Sequence, residues 1–131
     1  MIIHKFGGTS IRNADDFLNV TKIIRKQISG LGSDARSHVV VLSAISGVPS
    51  ALVEGARLAA GGVDSGFRKV RQNLLDQHLT VIEGLGIPSD QQRILAGTVE
   101  EEFHELERLF RSISIMGELT RRGLDAVKSI G

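Results

Sequence analysis

Two short runs of this chain have the residue types and spacing for phosphate chemistry. The first is Lys5-Phe6-Gly7-Gly8-Thr9-Ser10, and the second is Ser43-Ala44-Ile45-Ser46-Gly47. Paired glycines let a backbone approach a bulky anion and aim its N–H groups at it. A lysine just before them adds a mobile ammonium suited to charge on a transferring phosphoryl group. The plainer reading is a surface lysine at a strand end, followed by a tight turn. No Gly-Lys-Ser/Thr closes a Walker A pattern. Gly30-Leu-Gly32 and Gly84-Leu-Gly86 lack both the third glycine and the preceding strand of a dinucleotide fingerprint.

The elements that position these runs are legible from periodicity. Ile2 to Phe6 reads as a buried strand entering the Gly7-Gly8 turn. Asn13 is a good N-cap, with Asp15 and Asp16 in the first turn. Phe17, Val20, Ile24 and Ile28 follow at helical spacing until Gly30 stops the helix. After a polar connection, Ser33 to Ser37, Val39 to Leu42 is a short apolar run expected to be a strand covered on both faces. Pro49 suits the first turn of a helix carried by Ala51 to Ala60 and closed by Gly61-Gly62. The order β-α-β-α over residues 1–62 favours a parallel sheet with a right-handed crossover. Ligands in such sheets bind beyond the carboxyl ends of the strands, where both runs fall.

Residues 63–118 change character. Phe67, Val70, Leu74, His78, Val81 and Leu85 form one amphipathic stripe, broken by Gly86-Ile87-Pro88. Ser89 and Gln92 have the spacing of a capping box. Leu95, Val99, Phe103, Leu106, Phe110 and Ile113 form a second stripe, so the pair is expected to make a long antiparallel helical hairpin beside the sheet. Residues 119–131 begin another helix, with Thr120 as its cap, carrying Leu124 and Val127. Two strands make a poor sheet, so the chain reads as the start of a larger α/β domain.

Composition limits the partners. Of 131 residues, 41% are hydrophobic and 24% charged, with a formal net charge of +1, a balance that calls for neither nucleic acid nor a membrane surface. Tyr and Trp are absent, which argues against a base-stacking platform. Cysteine is absent too, excluding disulfides and thiolate metal sites. No apolar run reaches the roughly 18 residues of a membrane span, and the N-terminus lacks a signal-peptide pattern, so a cytoplasmic location is expected. No two histidines stand four apart, and no protein metal site is expected. His4 reads as a strand side chain, His78 as a hydrogen-bonded core or interface residue, and His104 as part of a solvated acidic helix face. Arg121 and Arg122 read as surface residues.

The first run, directly after an initial strand, resembles the signature that opens aspartate kinases. Leu42-Ser43-Ala44-Ile45-Ser46-Gly47-Val48 resembles that family's second signature, and Gly117-Glu118-Leu119-Thr120 and Ser129-Ile130-Gly131 resemble two later landmarks. The four matches fall in order and cover essentially the whole chain. The resemblance implies the N-terminal part of an amino-acid-kinase α/β sandwich around a mainly parallel sheet, with the helical hairpin inserted. It implies transfer of the γ-phosphoryl of ATP, with Mg²⁺ bound through the nucleotide, to the side-chain carboxylate of L-aspartate in amino-acid biosynthesis. Homo-oligomers are expected as well.

On that resemblance, Lys5 is the catalytic cation and lies with Phe6, Gly7 and Gly8 in the phosphate-binding run. Ser43 and Gly47 would line the same pocket, while Thr9 and Ser10 shape the turn. Pro49 and Ser50 stand where the family usually has Thr-Asn, at a position resembling a substrate contact, and proline supplies neither hydroxyl nor N–H. The glutamate that normally follows the last landmark, a later catalytic aspartate and the adenine pocket are not in these 131 residues. The chain alone is therefore expected to be inactive. Two alternatives stay open: a kinase of this fold acting on another small acid, and a non-catalytic association module using the hairpin.

Overall fold

The computed structural model describes residues 1–29 and 38–131. The Gly30 stop and the Ser33–Ser37 connection lie outside the described residues. Strand β1 (Ile2–Phe6) leads through a 3₁₀ turn, Gly8–Ser10, into helix α1 (Ala14–Ile28). Strand β2 (His38–Leu42) follows, then α2 (Val48–Ala60), α3 (Asp64–Gly84), α4 (Ser89–Met116) and α5 (Arg121–Ser129). β1 and β2 pair in parallel, with Lys5 opposite Val41 and Phe6 opposite Leu42.

Local chemistry accounts for most element ends. The Asn13 side chain accepts the Asp16 N–H at the start of α1, and that of Thr120 accepts the Gly123 N–H at the start of α5. Gly117, at φ 69°, closes α4 in the left-handed conformation. One expectation fails in detail. Ser89 is the first helical residue of α4 rather than its cap, because Pro88 is extended and takes the cap position. Gln92 instead donates its side-chain amide to the Ile87 carbonyl at 3.0 Å.

The core lies among the helices. Phe67, Leu74, Phe103, Leu106 and Phe110 from α3 and α4 are buried with Val48, Leu52, Ala56 and Ala59 of α2 and Val127 of α5. Gly55 allows the closest approach: a Cβ there would stand 2.4 Å from Cζ of Phe110. The hairpin therefore packs on α2 and α5 rather than beside the sheet. β2, expected to be covered on both faces, is open instead, with Val39, Val40, Val41 and Leu42 each 42–45% exposed. The described helices have turned their apolar stripes toward one another and leave the strand pair largely uncovered.

Candidate functional site: two turns and a groove

At the carboxyl ends of the strands, two turns are laced together. The Ser43 N–H donates to the Phe6 carbonyl at 3.0 Å, and the Ser46 N–H to that of Ile11, also at 3.0 Å. Ile11 is fully buried and anchors the lacing to the core. Ser10 and Ile11 donate back to Gly7 and Gly8, forming the 3₁₀ turn. From α3, the Gln77 side chain donates to the Ser46 carbonyl at 3.3 Å and braces the second turn.

The glycines of these turns divide by what the fold requires of them. Gly47 sits at φ 87° as the N-cap of α2, a conformation that L side chains rarely adopt. Gly7 is extended (φ −81°, ψ 174°), and a Cβ there would meet nothing within 4 Å. A Cβ on Gly8 would make only ordinary contacts, 3.7 Å from the Ala44 carbonyl oxygen and from Ser43 Oγ. Neither packing nor backbone conformation demands glycine at 7 or 8, and the space beside Gly7 is open. Lys5 is exposed and shares a sheet face with Ile3, Val39 and Val41, while half-buried Phe6 packs against the core from the other face.

Pro49 and Ser50 are exposed in the first turn of α2. They line a groove of about 450 Å³ with Leu52, Val53, Arg57, Lys128 and Gly131. Here residues far apart in sequence meet: a Cβ on Gly131 would stand 2.8 Å from Leu52 Cδ1 and 3.2 Å from Val48 Cγ1. The second and the closing landmark of the sequence therefore border one groove, whose walls carry two cations.

Arg57 was not singled out from the sequence, although Pro49, Val53 and Arg57 recur at the four-residue helical interval. Lys128 needed the docking of α5 on α2 to be seen. Arg12, which follows the first turn, is already committed: it donates to Asp16 at 2.8 Å and, with its backbone N–H, holds that carboxyl below the usual carboxylate range. Among the described residues, no cluster of three or more acidic or histidine side chains is placed to hold a metal ion. No helix among them is long and apolar enough to cross a membrane.

A parallel strand pair with laced, glycine-containing turns at its carboxyl ends, followed by packed helices, defines a mixed α/β chain. Its relatives make the class more specific. The chain is 26% identical to an aspartokinase of Candida albicans, over 99% of this chain and 23% of that protein. It is 30% identical to an aspartokinase of Chlamydia trachomatis, over 83% of this chain and 22% of that protein. It is also 28% identical to the chloroplastic bifunctional aspartokinase/homoserine dehydrogenase 1 of Zea mays, over 98% of this chain and 13% of that protein. No protein-family model matches the chain. The chain is thus similar along nearly all its length to aspartokinases, and spans less than a quarter of the length of these relatives.

Proposed function

We propose that this chain is the phosphate-facing part of an aspartate kinase, a transferase of amino-acid biosynthesis. The observation that carries the reading is the pair Gly7-Gly8, whose glycines the fold does not need and whose open side adjoins exposed Lys5. Bare backbone beside a cation fits the phosphates of ATP, which would bring Mg²⁺ with them. When bound, ATP supplies the γ-phosphoryl group. The chain's own part is to fix the phosphates with the Gly7 and Gly8 N–H groups, to oppose their charge with Lys5, and to hold the second turn, Ser43 to Gly47, against the first.

The groove at Pro49, Ser50 and Gly131 is the place for the amino-acid substrate, with Arg57 and Lys128 supplying positive charge for carboxylates. Pro49 also supports a second reading, in which the acceptor is another small carboxylic acid, because the hydroxyl expected at that position is missing.

The test compares two lengths of protein. A protein carrying this region at the length of its relatives, given ATP, Mg²⁺, L-aspartate and hydroxylamine, is expected to form an aspartyl hydroxamate by trapping of the acyl phosphate. The 131-residue chain is expected to form none, since phosphoryl transfer rests on complete positioning. Hydroxamate from another small acid but not from aspartate would favour the second reading. No hydroxamate from any such acid would overturn both.

A further inference from the structure

The second turn contains a peptide unit with two possible orientations. The Val48 N–H donates to the Ile45 carbonyl at 3.0 Å, closing a four-residue turn from Ile45 to Val48. Its third residue, Gly47, sits at φ 87° and ψ −19°, and among the described residues only glycines have positive φ. A closed turn with only its third residue at positive φ is type II. Rotating the Ser46–Gly47 peptide by about half a turn converts it to type I, which keeps the closing hydrogen bond and brings Gly47 to negative φ. Glycine accepts either form, so residue type alone does not choose between them.

Gln77 on α3 favours one of the two. Its side-chain amide donates to the Ser46 carbonyl at 3.3 Å. A carbonyl only accepts, so the amide presents its NH₂ end. The peptide bonds of the described residues are trans, and the Gly47 N–H therefore points opposite to the Ser46 carbonyl, away from α3. Among the described residues no backbone carbonyl accepts that N–H, and a Cβ on Gly47 would meet nothing within 4 Å. Gly8 of the first turn adjoins it, since a Cβ there would stand 3.9 Å from Ser46 Cα. In the type I form the carbonyl and the N–H exchange directions. Gln77 then loses its acceptor, and the Gly47 N–H turns toward α3.

The base from which Gln77 reaches is firmly seated. One helical turn on, Val81 is buried. Three residues further, Gly84 lets α3 pass close to the start of α1, where a Cβ would stand 2.6 Å from that of Ala14. The same helix thus backs both turns.

We propose that Gln77 is a positioning residue, which latches the Ser46–Gly47 peptide in its type II orientation. The latch keeps the Gly47 N–H turned away from α3 and beside Gly8, where it serves an oxygen of the transferring phosphoryl group. That service rests on the phosphate-facing reading given above, whereas the latch itself does not.

Two measurements separate these parts. In the full 131-residue chain, the NMR cross-peak between Ser46 Hα and the Gly47 N–H reports the turn, because these hydrogens are close in type II and distant in type I. At neutral pH Gln77→Glu keeps the side chain's shape but only accepts, and Gln77→Lys restores a donor. The cross-peak should be strong in the unsubstituted chain and in Gln77→Lys. In Gln77→Glu it should weaken, as the ratio of the two forms shifts about two- to tenfold, the scale of one hydrogen bond. A cross-peak equally strong in Gln77→Glu, or weak in the unsubstituted chain, overturns the latch. In a protein of the relatives' length, Gln77→Glu should lower kcat by a similar factor, about two- to tenfold. Both Michaelis constants and the denaturation midpoint should hold, the pattern of a contact made in the transition state, and Gln77→Lys should recover kcat. A weakened cross-peak with unaltered kcat overturns the positioning role. If the unsubstituted longer protein forms no hydroxamate from any small acid, the functional reading fails, and the cross-peaks still decide the latch.

Discussion

The strand half and the helical half of this chain are built to different standards. In the helical half, Phe67, Leu106, Phe110 and Val127 are at most 1% exposed, and Phe67 and Phe110 pack with tilted rings 5.6 Å apart. In the strand half, every residue of β2 after His38 is at least 42% exposed, and Ile2 and Ile3 are more than half exposed. Yet the residues with the types for chemistry, Lys5, Gly7 and Gly8, sit in the poorly covered half. Stability and proposed chemistry are thus spatially separated. Ile11 and Ile45, buried with the helical core, half-buried Phe6 and Phe17 packed against it, and Gln77, reaching from α3 to the second turn, join the two halves. Substitutions on the two sides should therefore move different measurements.

The largest effect is expected in the helical half. Phe110→Ala empties the space against Gly55 and Phe67 and should lower unfolding free energy by about 3–5 kcal/mol, read from urea denaturation. A loss below 1 kcal/mol would mean that the helices do not hold the fold, and the contrast between halves would collapse. Second comes Lys5→Ala in a protein of the relatives' length. Turnover should fall roughly a hundredfold, the scale for losing one electrostatic stabiliser, while the denaturation midpoint stays put because Lys5 is exposed. Retention of more than half the turnover would return Lys5 to the plainer surface reading.

The glycines sharpen the comparison within a single turn system. Gly47→Ala forces a side chain into φ 87° and should lower stability by about 1–2 kcal/mol. Gly7→Ala meets no atom within 4 Å at a negative φ, so stability should hold or rise slightly. In the longer protein, however, the added methyl stands where phosphate is proposed to approach, and the Michaelis constant for ATP should rise. If Gly7→Ala leaves ATP kinetics untouched, the glycine pair is a turn and nothing more.

Much of this arrangement was legible in the sequence, because it rests on local rules. Asn13 and Thr120 act as caps, and the hairpin stripes at Phe67–Val81 and Phe103–Ile113 supply the buried faces. Burial of β2 was not legible. An apolar run such as Val39–Leu42 reports that a strand suits a covered position, and the described helices cover one another instead. The same limit hid the groove. Arg57 shares a helix face with Pro49, but Lys128 and Gly131 reach it only through docking of α5 on α2, a contact that no spacing along the chain encodes. The reach of Gln77 to the Ser46 carbonyl likewise depends on how α3 docks, which brings residues 31 positions apart into contact.

The smallest expected effect tests whether the groove belongs with the strand-end turns as one functional unit. Pro49 and Ser50 are exposed in the first turn of α2, directly after Gly47. If the groove holds the amino-acid substrate, restoring a hydroxyl at 49 adds one hydrogen bond, worth about 0.5–1.5 kcal/mol. Pro49→Thr in the longer protein should then lower the Michaelis constant for aspartate by a few-fold to tenfold and leave that for ATP unchanged. Should Ser50 already supply the hydroxyl, Ser50→Ala would raise the aspartate constant and Pro49→Thr would do little. A change in neither variant would remove this turn from the substrate contacts and limit the proposed chemistry to Lys5, Gly7 and Gly8. Arg57→Gln then distinguishes a groove that binds elsewhere along its length from one that does not bind at all. A rise in the aspartate constant in that variant alone would place the carboxylate contact toward the far end of α2, two helical turns from Pro49.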